Sequence, residues 1–147
     1  MRRKMDSSQF QQILKECISN IRFQYNKKNY YYNDEDLVIV INKQKSNFGD
    51  YFYINYGFLV KNIHNGLNNP KINECDIVGR FVYNKQGVER TDFQIDMIQE
   101  TEFRKCVEDN LAKKIIPVMN EGIEKYFELY PRAKNAATLD LKKYLGI

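Results

Sequence analysis

The order of patterns along this chain predicts an α+β fold: an N-terminal amphipathic helix, a central antiparallel β-sheet of about four to six strands, and C-terminal helices packed on one face. Three observations carry that expectation. Apolar residues recur at helical spacing from Phe10 to Ile21, period-two alternation interrupted by polar turns fills the middle, and helical spacing returns after Thr101. Glycine (7) and proline (3) are too scarce for a long flexible linker, so one domain spanning 1–147 is expected.

Phe10, Ile13, Leu14, Cys17, Ile18 and Ile21 form a single apolar stripe, and Asp6, Ser7 or Ser8 can cap the helix that carries it. Cys17 lies on that stripe and reads as core. The runs 23–25 and 30–32 are β-prone and flank the polar turn Asn26-Lys27-Lys28-Asn29. Leu37-Val38-Ile39-Val40-Ile41 opens a β-branched strand that continues to Lys45. After the turn cluster 46–50, Phe52, Ile54, Tyr56, Phe58 and Val60 alternate with the more polar Tyr53, Asn55 and Gly57.

A hairpin of 37–45 with 51–60 follows, and its register decides which side chains meet. Placing Leu37, Ile39 and Ile41 beside the Phe52–Val60 residues is favoured, because the other choice carries Asn42 and Gln44 into the core. Val38, Val40, Asn42, Gln44, Tyr53 and Asn55 then share the second face. Residues 64–74 read as a loop, 75–83 as one further strand, 84–87 as a turn, and 93–97 as an edge strand or a helical turn. Thr101 is the expected cap of a helix that Pro117 should kink or split. Thr138 is the expected cap of a closing helix ended by Gly146.

Most chemistry lacks an anchor. No phosphate-cradling glycine loop and no nucleophile elbow occurs. His64 is the only histidine, and it could pair with Cys75 or with Asp76 in a hydrolase-like site built on 64–76. No metal and no cofactor is expected, because one histidine and the three scattered cysteines (Cys17, Cys75, Cys106) cannot close a ligand shell. Glu100, Glu102, Glu108 and Asp109 read as acids placed near a helix start. The net charge of +4 is spread over short basic pairs, Arg2-Arg3-Lys4 among them, which read as solvated surface. Exposed tyrosines with Lys43, Lys45 and Arg80 are the best case for single-stranded nucleic acid, but the small charge and the missing RNP1 pattern disfavour it. No apolar stretch reaches the ~20 residues of a membrane helix, and the basic start is followed by no apolar run. A cytoplasmic protein with no membrane role is expected. Heavy use of Lys, Asn, Ile and Tyr points to an AT-rich, bacterial genome.

The segment Ile41-Asn42-Lys43-Gln44-Lys45-Ser46-Asn47, followed by Tyr53-Ile54-Asn55-Tyr56-Gly57, resembles the bacterial family catalogued as domain of unknown function 4304. Its members pair a Q-K-S-N type turn with an I-N-x-G type strand. Cys75-Asp76-Ile77-Val78-Gly79-Arg80-Phe81 resembles the strand that follows in that family, and Ile116-Pro117 its proline-bearing helix. The resemblance implies the fold and a small cytoplasmic protein, and it brings no catalytic residues. By analogy with other compact families, it also admits an immunity protein that neutralises a toxin from a neighbouring gene.

The reading that follows is a non-catalytic protein-binding module of unidentified partner, not an enzyme. Its candidate surface is Asn42, Gln44, Asn47, Tyr53, Asn55, His64, Asn68, Asn69 and Arg80, since tyrosine and asparagine combine contact area with hydrogen bonding at modest entropic cost.

Overall fold

A computed structural model describes residues 5–147; the Arg2-Arg3-Lys4 cluster lies outside them. Helix α1 (Ser7–Ser19) starts in a capping box, with Asp6 Oδ1 accepting from Gln9 N at 2.8 Å and Gln9 Oε1 accepting from Asp6 N at 2.9 Å. Six strands follow in one sheet: β1 (Gln24–Asn26), β2 (Asn29–Asn33), β3 (Leu37–Lys45), β4 (Tyr51–Val60), β5 (Ile77–Arg80) and, after the small hairpin β6 (Tyr83–Lys85) and β7 (Val88–Arg90), β8 (Phe93–Gln94). Strands β1 to β5 lie side by side in sequence order, all antiparallel, and β8 shares the outer edge of β4 with β5.

The β3–β4 register places Leu37 opposite Val60, Ile39 opposite Phe58 and Ile41 opposite Tyr56, as favoured from the residue pattern. These side chains face α1 and the C-terminal helices across the main core. There Phe10 lies between Phe52 and Phe103, with ring centroids 4.8 and 4.5 Å away. Such pairs add about 0.5–1.5 kcal/mol each beyond the area they bury. Cys17 is buried in this core, and burial pushes its thiol pKa up.

Three expectations need correction. The strand expected over 75–83 ends at Arg80: Phe81 N donates to Ile54 O at 2.9 Å while its ring enters the core. The backbone of Val82 then pairs with a side chain in place of a strand, since Asn110 Oδ1 accepts from Val82 N and Asn110 Nδ2 donates to Val82 O. Helix α2 (Glu100–Asn110) starts one residue before Thr101, with Gln99 at the cap position making no side-chain bond. Glu100 and Glu102 in the first turn complement the helix dipole instead, while Glu108 and Asp109 lie near the far end of α2.

Pro117 acts by a subtler route than a split. Its ring excludes the carbonyl four residues earlier, that of Lys113. The chain widens into a π turn over Leu111–Ile115, and the Tyr130 hydroxyl donates to Lys113 O at 3.1 Å. Helix α3 (Ile116–Glu121) continues from there, and the break comes at Gly122 (φ 87°) before α4 (Ile123–Leu129). Thr138 caps α5 (Leu139–Leu145), which Gly146 ends in the left-handed region.

Residues 93–97 combine both expectations, a two-residue strand followed by a turn closed by Met97 N on Gln94 O. Residues 61–76 are better ordered than a loop, with short 3-10 turns at Lys61–Ile63 and Ile72–Glu74.

Candidate functional site

The second face of the sheet has two ends. At one end Tyr31, Val38, Val40 and Leu59 are apolar, and the 61–76 segment folds over them with Leu67, Ile72 and Cys75. The Tyr31 hydroxyl holds that cover by donating to Pro70 O at 3.1 Å. Gly57 is required beneath it, because a Cβ there would sit 2.6 Å from Cys75 Sγ. The cover stops short of the other end.

There the strand registers align one polar row. Asn26 pairs with Asn29, Asn29 with Asn42, Asn42 with Asn55, and Asn55 with Arg80, so the row crosses β1 to β5. Asn55 is its hinge. The Arg80 Nε–H donates to Asn55 Oδ1 at 3.0 Å, and a guanidinium can only donate. Asn55 must therefore turn its NH2 the other way, where it reaches Asn42 Oδ1 at 3.0 Å and Gln44 Oε1 at 2.9 Å. Asn42 and Gln44 thus accept through their oxygens, and among the described residues their NH2 groups are left without an acceptor. The Arg80 guanidinium lies 3.9 Å from the Tyr53 ring centroid, and Tyr53 meets Tyr51 edge-on at 5.7 Å.

Around this row runs an open groove of about 950 Å³. Lys27 and Lys28 line one end, Arg80 the other, and Lys71 and Asn73 the side nearest the cover. No carboxylate among the described residues lines it. None of Lys27, Lys28, Lys71 and Arg80 has a salt-bridge partner among the described residues. Lys43 borders the groove through its strand but turns its ammonium to the first face, 5.0 Å from the Phe52 ring centroid. Its pKa is lowered by burial. A second cavity of about 430 Å³, between α2 and the β6–β7 hairpin, mixes Glu89, Glu102 and Asp109 with Lys105, Lys113 and Lys114. Cys106 lines that cavity, and burial pushes its thiol up to about 12.

Of the residues expected to form a surface, Asn42, Gln44, Tyr53, Asn55 and Arg80 come together. Asn47 is exposed in the β3–β4 turn, and Asn68 is exposed on the cover. Asn69 lines a separate small cleft with Arg22, Gln24 and Tyr25. His64 is elsewhere too, with its Nε2 donating to Asp76 Oδ1 at 2.7 Å. Asp76 is 2% exposed, and its Oδ2 accepts from Val60 N at 2.8 Å while its backbone oxygen accepts from Thr138 N. That carboxylate ties the end of β4, the cover and the α5 cap together. Cys75 does not join His64; its thiol donates to Lys71 O, and burial, with Asp76 and Glu74 adding, raises its pKa to about 12. Sequence reasoning missed Asn29, Lys27, Lys28, Lys71 and Asn73. The parity of β2 against β3 was the available signal for Asn29.

Among the described residues, no group of three or more histidine, cysteine or acidic side chains is placed to hold a metal ion, and no helix is long and apolar enough to cross a membrane. No curated protein matches this chain, and no solved structure does. One family model matches residues 14–127, well over half of the chain and the whole polar row with it. The chain therefore belongs to the family described as Domain of unknown function (DUF4304).

Proposed function

We propose that this chain is a non-catalytic protein-binding module that engages its partner through the open end of the second sheet face. The observation that supports this is the Asn42–Gln44–Asn55–Arg80 network, in which a buried Asn55 orders the exposed Gln44 and Arg80 beside a cover that closes the apolar half. Groups already held in their binding geometry lose little conformational entropy on association. A catalytic reading finds less support, because the Asp76 carboxylate is committed to Val60 N and His64, and no nucleophile among the described residues is hydrogen-bonded to His64.

The specific form of this proposal is an immunity protein, with a toxin encoded beside its gene as the partner. Co-expression with each neighbouring gene product tests it. The expected result is co-purification, lost in Tyr53→Ala, and survival of cells that otherwise die from the neighbour's product. If no neighbour co-purifies and none is neutralised, the proposal fails.

A further inference from the structure

Among the described residues, the Asn55 network leaves the Asn42 and Gln44 NH2 groups and both Nη groups of Arg80 without an acceptor. Arg80 sets this pattern: its Nε–H donates to Asn55 Oδ1, which turns the Asn55 NH2 onto the oxygens of Asn42 and Gln44 and leaves their NH2 groups outward. Neither Nη of Arg80 has an acceptor among the described residues. The guanidinium is nonetheless held, by Asn55 at one edge and by the Tyr53 ring against its face. A held fork with two free parallel N–H groups matches a carboxylate bidentately. The Lys27-Lys28 turn adds two cations at the opposite end of the row, and Lys71 adds a third along the side.

From this we infer that the groove takes an acidic segment of a protein partner, laid across the strands with one carboxylate on Arg80 and another at Lys27-Lys28. This rests on the protein-binding reading and names the partner's chemistry. The row crosses four interstrand gaps, about 19 Å at ~4.8 Å each, which an extended segment of roughly six residues covers. The amide NH2 groups between the two charged ends suit the carbonyls of such a segment. Charge complementarity selects the occupant: among the described residues every charged side chain lining the groove is a cation, set beside Ile72 and Val78, whereas the α2 cavity is balanced.

Fluorescence anisotropy of the full chain with labelled peptides tests it. The probes are a six-residue Gly/Ser peptide with glutamates at both ends, the same peptide with glutamate at one end only, its all-glutamine counterpart, and single-stranded oligothymidylate. The doubly acidic peptide is expected to bind most tightly and to weaken as salt rises. Arg80→Gln should weaken it roughly tenfold or more, and Arg80→Lys should recover only part of that, because an ammonium offers no fork. Lys27→Gln with Lys28→Gln reads the other end, and provides the test if an Arg80 variant fails to fold.

Equal binding of the acidic and glutamine peptides, or binding indifferent to both sets of variants, overturns the inference. So does tighter binding of oligothymidylate, which would make the groove a nucleic-acid site. If a neighbouring gene product co-purifies in a Tyr53-dependent way while the acidic peptide neither binds nor competes, the acidic-segment inference fails and the protein-binding reading stands. If the peptide binds through Arg80 but no neighbour co-purifies, the acidic-segment inference stands and the immunity form of the protein-binding reading fails.

Discussion

The two faces of this sheet are made by alternate residues of the same strands, yet they meet different fates. On the first face, Ile39, Ile41, Ile54 and Phe58 are fully enclosed by α1 and the C-terminal helices. On the second, Val38, Val40 and Leu59 are equally buried, but under a segment of 61–76 with only Leu67, Ile72 and Cys75 to cover them. A few residues along the same strands, that cover ends and the polar row begins. The contrast teaches that burial on the second face is local. The cover is held by three apolar side chains, the Asp76 carboxylate, the Tyr31 hydroxyl and the bonds of Lys61 to the Asp34 and Asp36 carbonyls, whereas the first face is held by the whole core.

Substitution on the first face should have the largest effect. Phe58→Ala removes a fully enclosed ring that packs on Tyr126 at 4.9 Å and Tyr56 at 5.5 Å. A loss of about 3–5 kcal/mol is expected in urea unfolding. A loss under about 1 kcal/mol would mean that the first face does not carry the fold.

Asp76→Ala comes next. It strips Val60 N and His64 of their acceptor, and about 3 kcal/mol is expected. The same variant tests the cover directly. With its pKa raised to about 12, the Cys75 thiol is neutral at pH 8, so it should resist iodoacetamide in the native wild type. In Asp76→Ala it should label, as peptide mapping can show. Unchanged protection would mean that the cover is held by something other than Asp76.

The smallest change is expected in the open row. Gln44 is exposed and its side chain makes one bond among the described residues, to Asn55, so Gln44→Ala should alter stability by within about 0.5–1 kcal/mol. A larger loss would move the polar row from surface to structure and erase the contrast between the ends.

The β3–β4 register was legible because Asn42 and Gln44 could not share the side of Ile39 and Ile41 without entering the core. Cys17 was legible as core from its place on the α1 stripe, and the Gly146 stop from its position after Leu145. The end of β5 at Arg80 was not. Residues 75–83 alternate well, and nothing local shows that the amide of Asn110, from a helix far along the chain, takes the Val82 backbone groups. The start of α2 escaped for a related reason: Thr101 offers a capping oxygen, but Gln9 of α1 anchors Glu100 at 2.8 Å, and the helix begins there. Five of the nine proposed surface residues came together because strand alternation places them; Asn47, His64, Asn68 and Asn69 lie on turns or on the cover, where period two gives no guidance.

By itself, then, the order of residues determined the α+β class, the helix stripe and the two faces of β3 and β4, because the 3.6- and 2-residue periods are properties of the local backbone. Only the tertiary structure decided which part of the second face is closed. It alone aligned Asn26, Asn29, Asn42, Asn55 and Arg80 into one row, since that requires four separate strand registers to agree. The direction of the Asn42, Gln44 and Asn55 amides then follows from one guanidinium that cannot accept a hydrogen bond.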